Sequence, residues 1–123
     1  MSGEIVNLML TLRNQIKIYH WETMQHARHK ATDELIDKLD DAIDKFVEVY
    51  IGKYGRPKLT PRTGTIRLRN YDDVQAPALL TEAIAWMTNR LPALLSKTDT
   101  DLLNIRDEII ADLNQTRYLF TLS

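Results

Sequence analysis

The chain has 123 residues, of which 44% are hydrophobic and 27% are charged. This length predicts a single domain over residues 1–123 with one ordinary core, and this composition excludes a disordered chain. The net charge of -1 excludes bulk attraction to nucleic acid or to an anionic membrane, and the absence of cysteine excludes disulfides and thiolate metal sites. No apolar run approaches membrane length and no signal peptide is recognised, so we expect an intracellular, cytoplasmic protein.

Four stretches of the chain carry apolar residues at helical spacing, and each predicts an amphipathic helix. The predicted helices cover about residues 4–23, 27–52, 73–96 and 99–121. The first and second predicted helices are separated by a short turn, and so are the third and fourth. Two helices joined by such a short link are expected to pack antiparallel.

The second predicted helix is expected to stop at Gly52 and Gly55. Residues 53–72 then have the proline and glycine content of a connection. About twenty residues can extend to roughly 66 Å, which exceeds the roughly 36 Å length of the second predicted helix. The link can therefore return along the whole molecule and leave the second and third helices parallel. Two antiparallel hairpins joined by one long crossover make an all-α, ferritin-like four-helix bundle.

The starts of the third and fourth predicted helices carry capping residues. Asp72 or Asp73 is expected to cap the third helix, and one of residues 98–100 is expected to cap the fourth. Pro92 lies inside the third apolar pattern. We expect it to kink or end that helix, because proline lacks the amide hydrogen that an interior helical position donates.

Metal-binding side chains are concentrated early in the second predicted helix and just before it. All three histidines fall inside residues 20–29. Two pairs have the i,i+4 spacing that places side chains together on a helix face: His29 with Asp33, and Asp44 with Glu48. Nitrogen and oxygen ligands without sulfur suit iron, manganese or zinc. The sequence therefore predicts a metal site here.

The two i,i+4 pairs are too far apart to share one ion within one chain. Their centres are 15 residues apart, or about 22 Å along a helix. Two arrangements remain open. The pairs can serve separate sites that each lack ligands, or two copies of the helix can pack antiparallel about a twofold axis so that each pair meets the other pair of its mate. His20 can join His29 because the intervening turn brings the two helix ends together.

Four features of this region match those of a known family: His20-Trp21, His29-x-x-x-Asp33, Asp44-x-x-x-Glu48 and Gly52. The intervals between them match the family's from His29 to Gly52. They resemble the miniferritins, or Dps-type proteins (DNA-protecting proteins of starved cells), of the ferritin-like superfamily. In that family two histidines and an aspartate of one subunit join an aspartate and a glutamate of its twofold mate in a ferroxidase centre. Carried over residue by residue, the resemblance implies a catalytic and metal-binding set: His20, His29, Asp33, Asp44 and Glu48.

The resemblance also implies an activity and an assembly. The activity is oxidation of Fe²⁺ by peroxide or dioxygen for iron detoxification or storage, with zinc and manganese as substitute ions. The assembly is a homo-oligomer, at least a C2 dimer and usually a dodecameric cage. The alternative is a non-catalytic helical-bundle scaffold or interaction protein that keeps a relic or structural metal site.

The chain also departs from that family. The interval from His20 to His29 is shorter by nearly one helical turn, and the family's glycine in that turn is absent. His26 lies in the shortened segment and is a candidate substitute ligand. The first ten residues contain no lysine, so we do not expect the lysine-rich N-terminal tail through which many members hold DNA. The basic residues of 53–69 could bind nucleic acid nonspecifically, but a solvated crossover with inter-subunit salt bridges is the preferred interpretation.

Overall fold

Four α-helices dominate the computed structural model, which describes residues 2–123. Their bounds are α1 Ser2–Glu22, α2 His26–Tyr54, α3 Ala76–Ala85 and α4 Thr100–Leu119. Residues 2–123 include no β-strand, so the prediction of an all-α chain is confirmed. None of the helices in this range combines the length and the hydropathy that crossing a lipid bilayer requires.

The core is built from the apolar stripes that the helical spacing predicted. Each of the four helices contributes buried side chains, and α4 buries its whole predicted stripe: Leu102, Ile105, Ile109, Leu113, Thr116 and Phe120. The largest fully buried side chains include Tyr19 of α1 and Phe46 of α2. Burial of an apolar side chain of this size stabilises a fold by roughly 1.5–3 kcal/mol, so the stripes set which faces of the helices meet.

Helix α2 ends at Tyr54, two residues beyond the predicted end. Gly52 lies within the helix, whereas Gly55 adopts a φ of 90° and its N–H donates to the carbonyl of Ile51 at 2.9 Å. A positive φ is the conformation that glycine adopts without a Cβ penalty, and it takes the chain out of the helix. Gly52 keeps helical geometry and so does not end the helix.

The connection between α2 and α3 lies along α1. The Asn7 side chain donates to the carbonyl of Thr65 at 2.7 Å. The Gln15 amide group binds both backbone groups of Arg69, donating to its carbonyl at 2.6 Å and accepting from its N–H at 2.7 Å. Asn7 and Gln15 are about 12 Å apart along the helix, so the five residues from Thr65 to Arg69 must be nearly fully extended.

The crossover therefore returns from the start of α1 to its end. Helix α3 begins there and runs back, because Arg90 beyond its end forms an ion pair with Glu4 near the start of α1 at 3.0 Å. Helix α4 is antiparallel to α2, since Lys53 at the end of α2 contacts Asp101 at the start of α4 at 2.8 Å. Helices α2 and α3 consequently point in the same direction.

The α-helical part of α3 is shorter than predicted. It ends at Ala85 and continues as a π-helical turn, Trp86–Arg90, and a 3-10 turn, Leu91–Leu94. The N–H of Leu91 donates to the carbonyl of Trp86, five residues earlier. Pro92 explains this change, because its ring would clash with the carbonyl four residues before it and it has no N–H to donate.

Neither of the two residues predicted to cap α3, Asp72 and Asp73, caps the helix itself. The helix begins at Ala76, and the Asp72 carboxylate accepts hydrogen bonds from the N–H groups of Val74 and Gln75 at 2.9 and 2.8 Å. Asp72 therefore caps the turn before the helix. The Asp73 side chain points to α1 and is described with the site below.

Candidate metal site

His20 and His29 face each other across the α1–α2 turn. Their imidazole rings are stacked, with centroids 4.0 Å apart and planes 18° from parallel. His20 is buried, with 6% of its surface exposed, whereas His29 is exposed. The turn between the two helices occupies only residues 23–25, which is why the end of α1 and the start of α2 meet so closely.

Hydrogen bonds fix the tautomers of both rings. The Nδ1 atom of His20 lies 2.8 Å from the carbonyl oxygen of His29, and the Nδ1 atom of His29 lies 2.9 Å from the carbonyl oxygen of His20. A carbonyl can only accept, so each Nδ1 carries the hydrogen and donates. In the neutral rings, each Nε2 then keeps a free lone pair. This is the state that a metal-binding histidine requires, with its other nitrogen held by a backbone carbonyl.

Thr32 supports this pair from the core side. Its Oγ1 is 3.0 Å from the Nδ1 of His20 and donates to the carbonyl of Arg28 at 2.7 Å. Thr32 is buried, with 1% of its surface exposed. Because its hydroxyl hydrogen is engaged with Arg28, the Thr32 oxygen is free to accept from His20. The orientation of the His20 ring is thus set by two acceptors.

A second network holds the backbone of the turn. The Asp73 carboxylate accepts from the hydroxyls of Tyr19 and Thr23 at 2.7 and 2.6 Å and from the N–H of Met24 at 3.1 Å. Burial alone would raise the pKa of Asp73, but these hydrogen bonds outweigh it and lower the pKa below its usual value. Asp73 therefore stays charged and ties the crossover to the α1–α2 turn.

Arg28 completes this network. It donates to the Tyr19 hydroxyl at 3.0 Å and to the carbonyls of Asp73 and Phe120 at 2.6 and 3.3 Å. Its guanidinium also lies 4.8 Å from the centre of the Phe120 ring. Arg28 precedes His29 directly, so these contacts restrict the position of the first turn of α2.

The carboxylates predicted as ligands are all on the surface. Asp33, Asp44 and Glu48 are exposed, and α2 is continuous from His26 to Tyr54, so the two pairs keep their separation of about 22 Å. The structure brings His20 to His29 but does not bring Asp44 or Glu48 to them. Within residues 2–123, no three His, Cys, Asp or Glu side chains are grouped closely enough to hold a metal.

The neighbouring residues have different environments. Asp40 forms a two-point ion pair with Arg13, at 2.9 and 3.2 Å, which ties α1 to α2. His26 is exposed at the first position of α2.

Two large apolar side chains beside the histidine pair are exposed. Trp21 is 67% exposed and Met24 is 91% exposed. The Lys17 ammonium group lies 5.3 Å from the centre of the Trp21 ring, whereas Met24 projects into solvent.

The basic crossover lies on the surface. Its cationic side chains are exposed: Arg56, Lys58, Arg62, Arg67 and Arg69. Lys53 belongs to a different network, because its ammonium group lies 2.6 Å from the buried carboxylate of Asp99 and 2.8 Å from that of Asp101. The charge of Lys53 is therefore neutralised within the chain and is not part of the exposed basic crossover. For the other basic residues, a solvated crossover with inter-subunit salt bridges stays the preferred prediction.

Three residues of the site were missed in the sequence: Thr32, Arg28 and Asp73. Thr32 left one signal, because it lies three residues after His29 on the apolar face of α2, where a hydroxyl needs a partner. Arg28 and Asp73 left none, since their roles depend on contacts between residues 45 positions apart.

Comparisons with known proteins identify relatives without a described activity. A family model described as "Family of unknown function (DUF5856)" matches residues 20–120. The chain is also similar to a phage protein, the "Uncharacterized 14.6 kDa protein in mobD-ri intergenic region" of Enterobacteria phage T4. The two are 29% identical over 121 residues, which cover 98% of this chain and 88% of the phage protein. No solved structure matches the chain.

Proposed function

Because this chain belongs to the DUF5856 family, whose description names no activity, we propose a function from its own residues: it is an iron-binding ferroxidase of the miniferritin type. The observation that carries the proposal is the stacked pair of His20 and His29. Both rings hold Nδ1–H against a backbone carbonyl and leave Nε2 free, as metal ligands do. Neutral imidazole together with carboxylate suits ferrous iron.

The complete site needs a second copy of the chain. One subunit supplies His20, His29 and Asp33, and the antiparallel α2 of its twofold mate supplies Asp44 and Glu48. The exposure of all three carboxylates and the continuity of α2 support this arrangement. So do the exposed Trp21 and Met24, which a mate would cover. A C2 dimer then holds two equivalent sites about 22 Å apart.

The order and direction of the helices support a ferritin-like arrangement. Helices α1 and α2 form one hairpin, the crossover returns along α1, and α3 runs parallel to α2 before α4 closes the second hairpin. Bundles of this connectivity build metal sites from side chains on facing helices. The larger assembly that the resemblance implies, a dodecameric cage, belongs to this proposal.

The chemistry assigned to the site is a two-electron reduction of peroxide. Two Fe²⁺ ions, as substrate, each release one electron, and one H₂O₂ molecule takes two electrons and two protons to give two water molecules. The residues of this chain bind and orient the ferrous ions. The carboxylates also stabilise the Fe³⁺ product, since hard oxygen ligands with negative charge favour the higher charge of the metal.

The alternative is a non-catalytic scaffold in which the histidine pair is structural. The reciprocal hydrogen bonds of His20 and His29 favour this candidate as well, because they already join α1 to α2 without any metal. In that case the exposed acids of α2 are a solvated face.

Anaerobic titration of the metal-free protein with Fe²⁺, followed by peroxide, distinguishes the two. The ferroxidase proposal predicts saturable Fe²⁺ binding and a rapid rise of ferric absorbance on addition of peroxide. It also predicts that Zn²⁺ added first suppresses that rise, because zinc takes the same ligands but has no redox chemistry. A scaffold would oxidise Fe²⁺ no faster than free Fe²⁺ is oxidised in the same buffer, whether or not a relic or structural site binds the ion.

A further inference from the structure

An open cleft lies at the end of the molecule where α4 terminates, and none of the proposed iron ligands lines it. Its volume is about 620 Å³, which is within the range of small-molecule sites. The residues that line it and matter here are Arg28, Asn114, Arg117 and Tyr118. Arg28 comes from the start of α2, and the other three come from the last turns of α4.

The charge of the cleft is one-sided. Among residues 2–123, those that line it include two arginines and neither Asp nor Glu. Arg117 is exposed and takes part in no ion pair with any carboxylate in the described part of the chain. Two arginines on the wall of one cleft without a lining carboxylate make its potential positive, and that favours a bound anion.

Arg28 is fixed in advance of any ligand. Its three hydrogen bonds go to neutral acceptors, the Tyr19 hydroxyl and the carbonyls of Asp73 and Phe120. Its plane packs on the Phe120 ring. Arg28 binds the backbone carbonyl of Asp73 and not its carboxylate. That carboxylate accepts hydrogen bonds from α1 and from the turn that follows it. Arg28 therefore brings a positive charge to the cleft wall that contacts no carboxylate directly.

Neutral donors and an aromatic surface complete the lining. The Asn114 amide group is exposed on the same face of α4 as Arg117 and Tyr118, at the spacing of one helical turn. The Tyr118 ring is 62% exposed. Thr81 and Thr121 also line the cleft, but their hydroxyls already donate to backbone carbonyls at 3.1 and 2.7 Å, so they supply no donor to an anion.

We propose that this cleft binds a small phosphate-bearing molecule, with Arg117 as the main phosphate ligand and Arg28 as a fixed second charge. Guanidinium groups match the geometry of phosphate oxygens better than other cations do. The exposed Tyr118 ring offers a stacking surface for a planar group attached to the phosphate. The site is separate from the histidine pair in function, so it stands whether or not the protein oxidises iron.

Isothermal titration with inorganic phosphate, pyrophosphate and ATP tests the proposal. We expect saturable binding of at least one probe at 0.15 M salt. Arg117→Gln should weaken that binding about tenfold or more, the usual effect of removing a charged hydrogen-bond donor. Arg62→Gln is the matched control, because it removes the same charge from the exposed crossover. If pyrophosphate binds as tightly as ATP, the cleft recognises phosphate alone. If ATP binds more tightly, the Tyr118 ring also contributes to binding.

A second variant distinguishes loss of binding from loss of the fold. Thr121→Glu places a carboxylate at the edge of the cleft in a residue that is already exposed, and it should weaken binding as Arg117→Gln does while the helical circular dichroism stays unchanged. The proposal is overturned if none of the three probes binds saturably at 0.15 M salt. It is also overturned if Arg62→Gln weakens binding as much as Arg117→Gln, since that would be nonspecific attraction of the anion to exposed arginines anywhere on the surface.

Discussion

The combined substitutions Asp44→Ala and Glu48→Ala should slow peroxide-dependent oxidation of Fe²⁺ by at least about 100-fold. The proposed site loses two of its charged oxygen ligands, and each tenfold loss of rate corresponds to only about 1.4 kcal/mol of lost stabilisation. Both side chains are exposed in the single chain, so the thermal midpoint of the folded chain should change little. The rate is read from ferric absorbance after anaerobic loading.

The matched control removes the same two charges from the same helix. Glu34→Ala combined with Asp41→Ala alters two exposed acids of α2 that are not among the proposed ligands. This control should oxidise iron at nearly the wild-type rate. If both double variants slow the reaction equally, general electrostatic attraction of Fe²⁺ to α2 is responsible, and Asp44 and Glu48 are not ligands.

The second large effect concerns stability and belongs to Asp99. Asp99→Ala should destabilise the fold by about 2–3 kcal/mol and lower the thermal midpoint by roughly 10 °C. The Asp99 side chain is buried, with 1% exposed, and accepts from Lys53 at 2.6 Å, from the Tyr54 hydroxyl at 2.6 Å and from the N–H of Ser96 at 2.8 Å. Its loss removes the buried contacts between the end of α2 and the start of α4 and leaves only the exposed pair of Lys53 with Asp101.

The same carboxylate gives the stability a defined pH dependence. Hydrogen bonds from Lys53 and then from Tyr54 lower the pKa of Asp99 to about 2 from its ordinary 3.8. A group whose pKa is lower in the folded state contributes stability above its unfolded pKa and loses it as the pH falls through its folded pKa. The difference in free energy of unfolding between wild type and Asp99→Asn should therefore have its full value above about pH 4 and become smaller as the pH falls toward 2.

Asp101→Ala is the control for both measurements. Asp101 also contacts Lys53 and also has a lowered pKa, for which the hydrogen bond from Lys53 is the main cause, but its side chain is 54% exposed. Solvent screening makes such a pair weak. A thermal midpoint that falls as far for Asp101→Ala as for Asp99→Ala would contradict the role assigned to burial.

The sequence predicted the parts of the fold that depend on local patterns. Apolar residues at helical spacing located all four helices and most of the core, because the same spacing decides which face of a helix is buried. It also predicted that His20 would approach His29, since a short turn leaves two helix ends little freedom. Helix ends were less predictable. Whether Gly52 or Gly55 ended α2 depended on which of them adopted a positive φ.

Roles that depend on distant partners could not be read from local patterns. Asp73 and Asp99 both lie where a helix cap was expected, and each instead binds residues of an earlier helix. A carboxylate before a helix looks the same in sequence in either role. The site itself is less predictable still, because its proposed halves are about 22 Å apart in one chain and meet only between chains.

Mixing two inactive variants tests the shared site most directly. One chain carries His29→Ala and Asp33→Ala, and the other carries Asp44→Ala and Glu48→Ala. A mixed dimer pairs the intact histidine half of the second chain with the intact Asp44/Glu48 half of the first, so one of its two sites is complete. Random co-refolding should then restore about a quarter of the wild-type iron oxidation rate, although each variant alone is inactive. A mixture that remains as inactive as its components would contradict a site shared across a twofold interface.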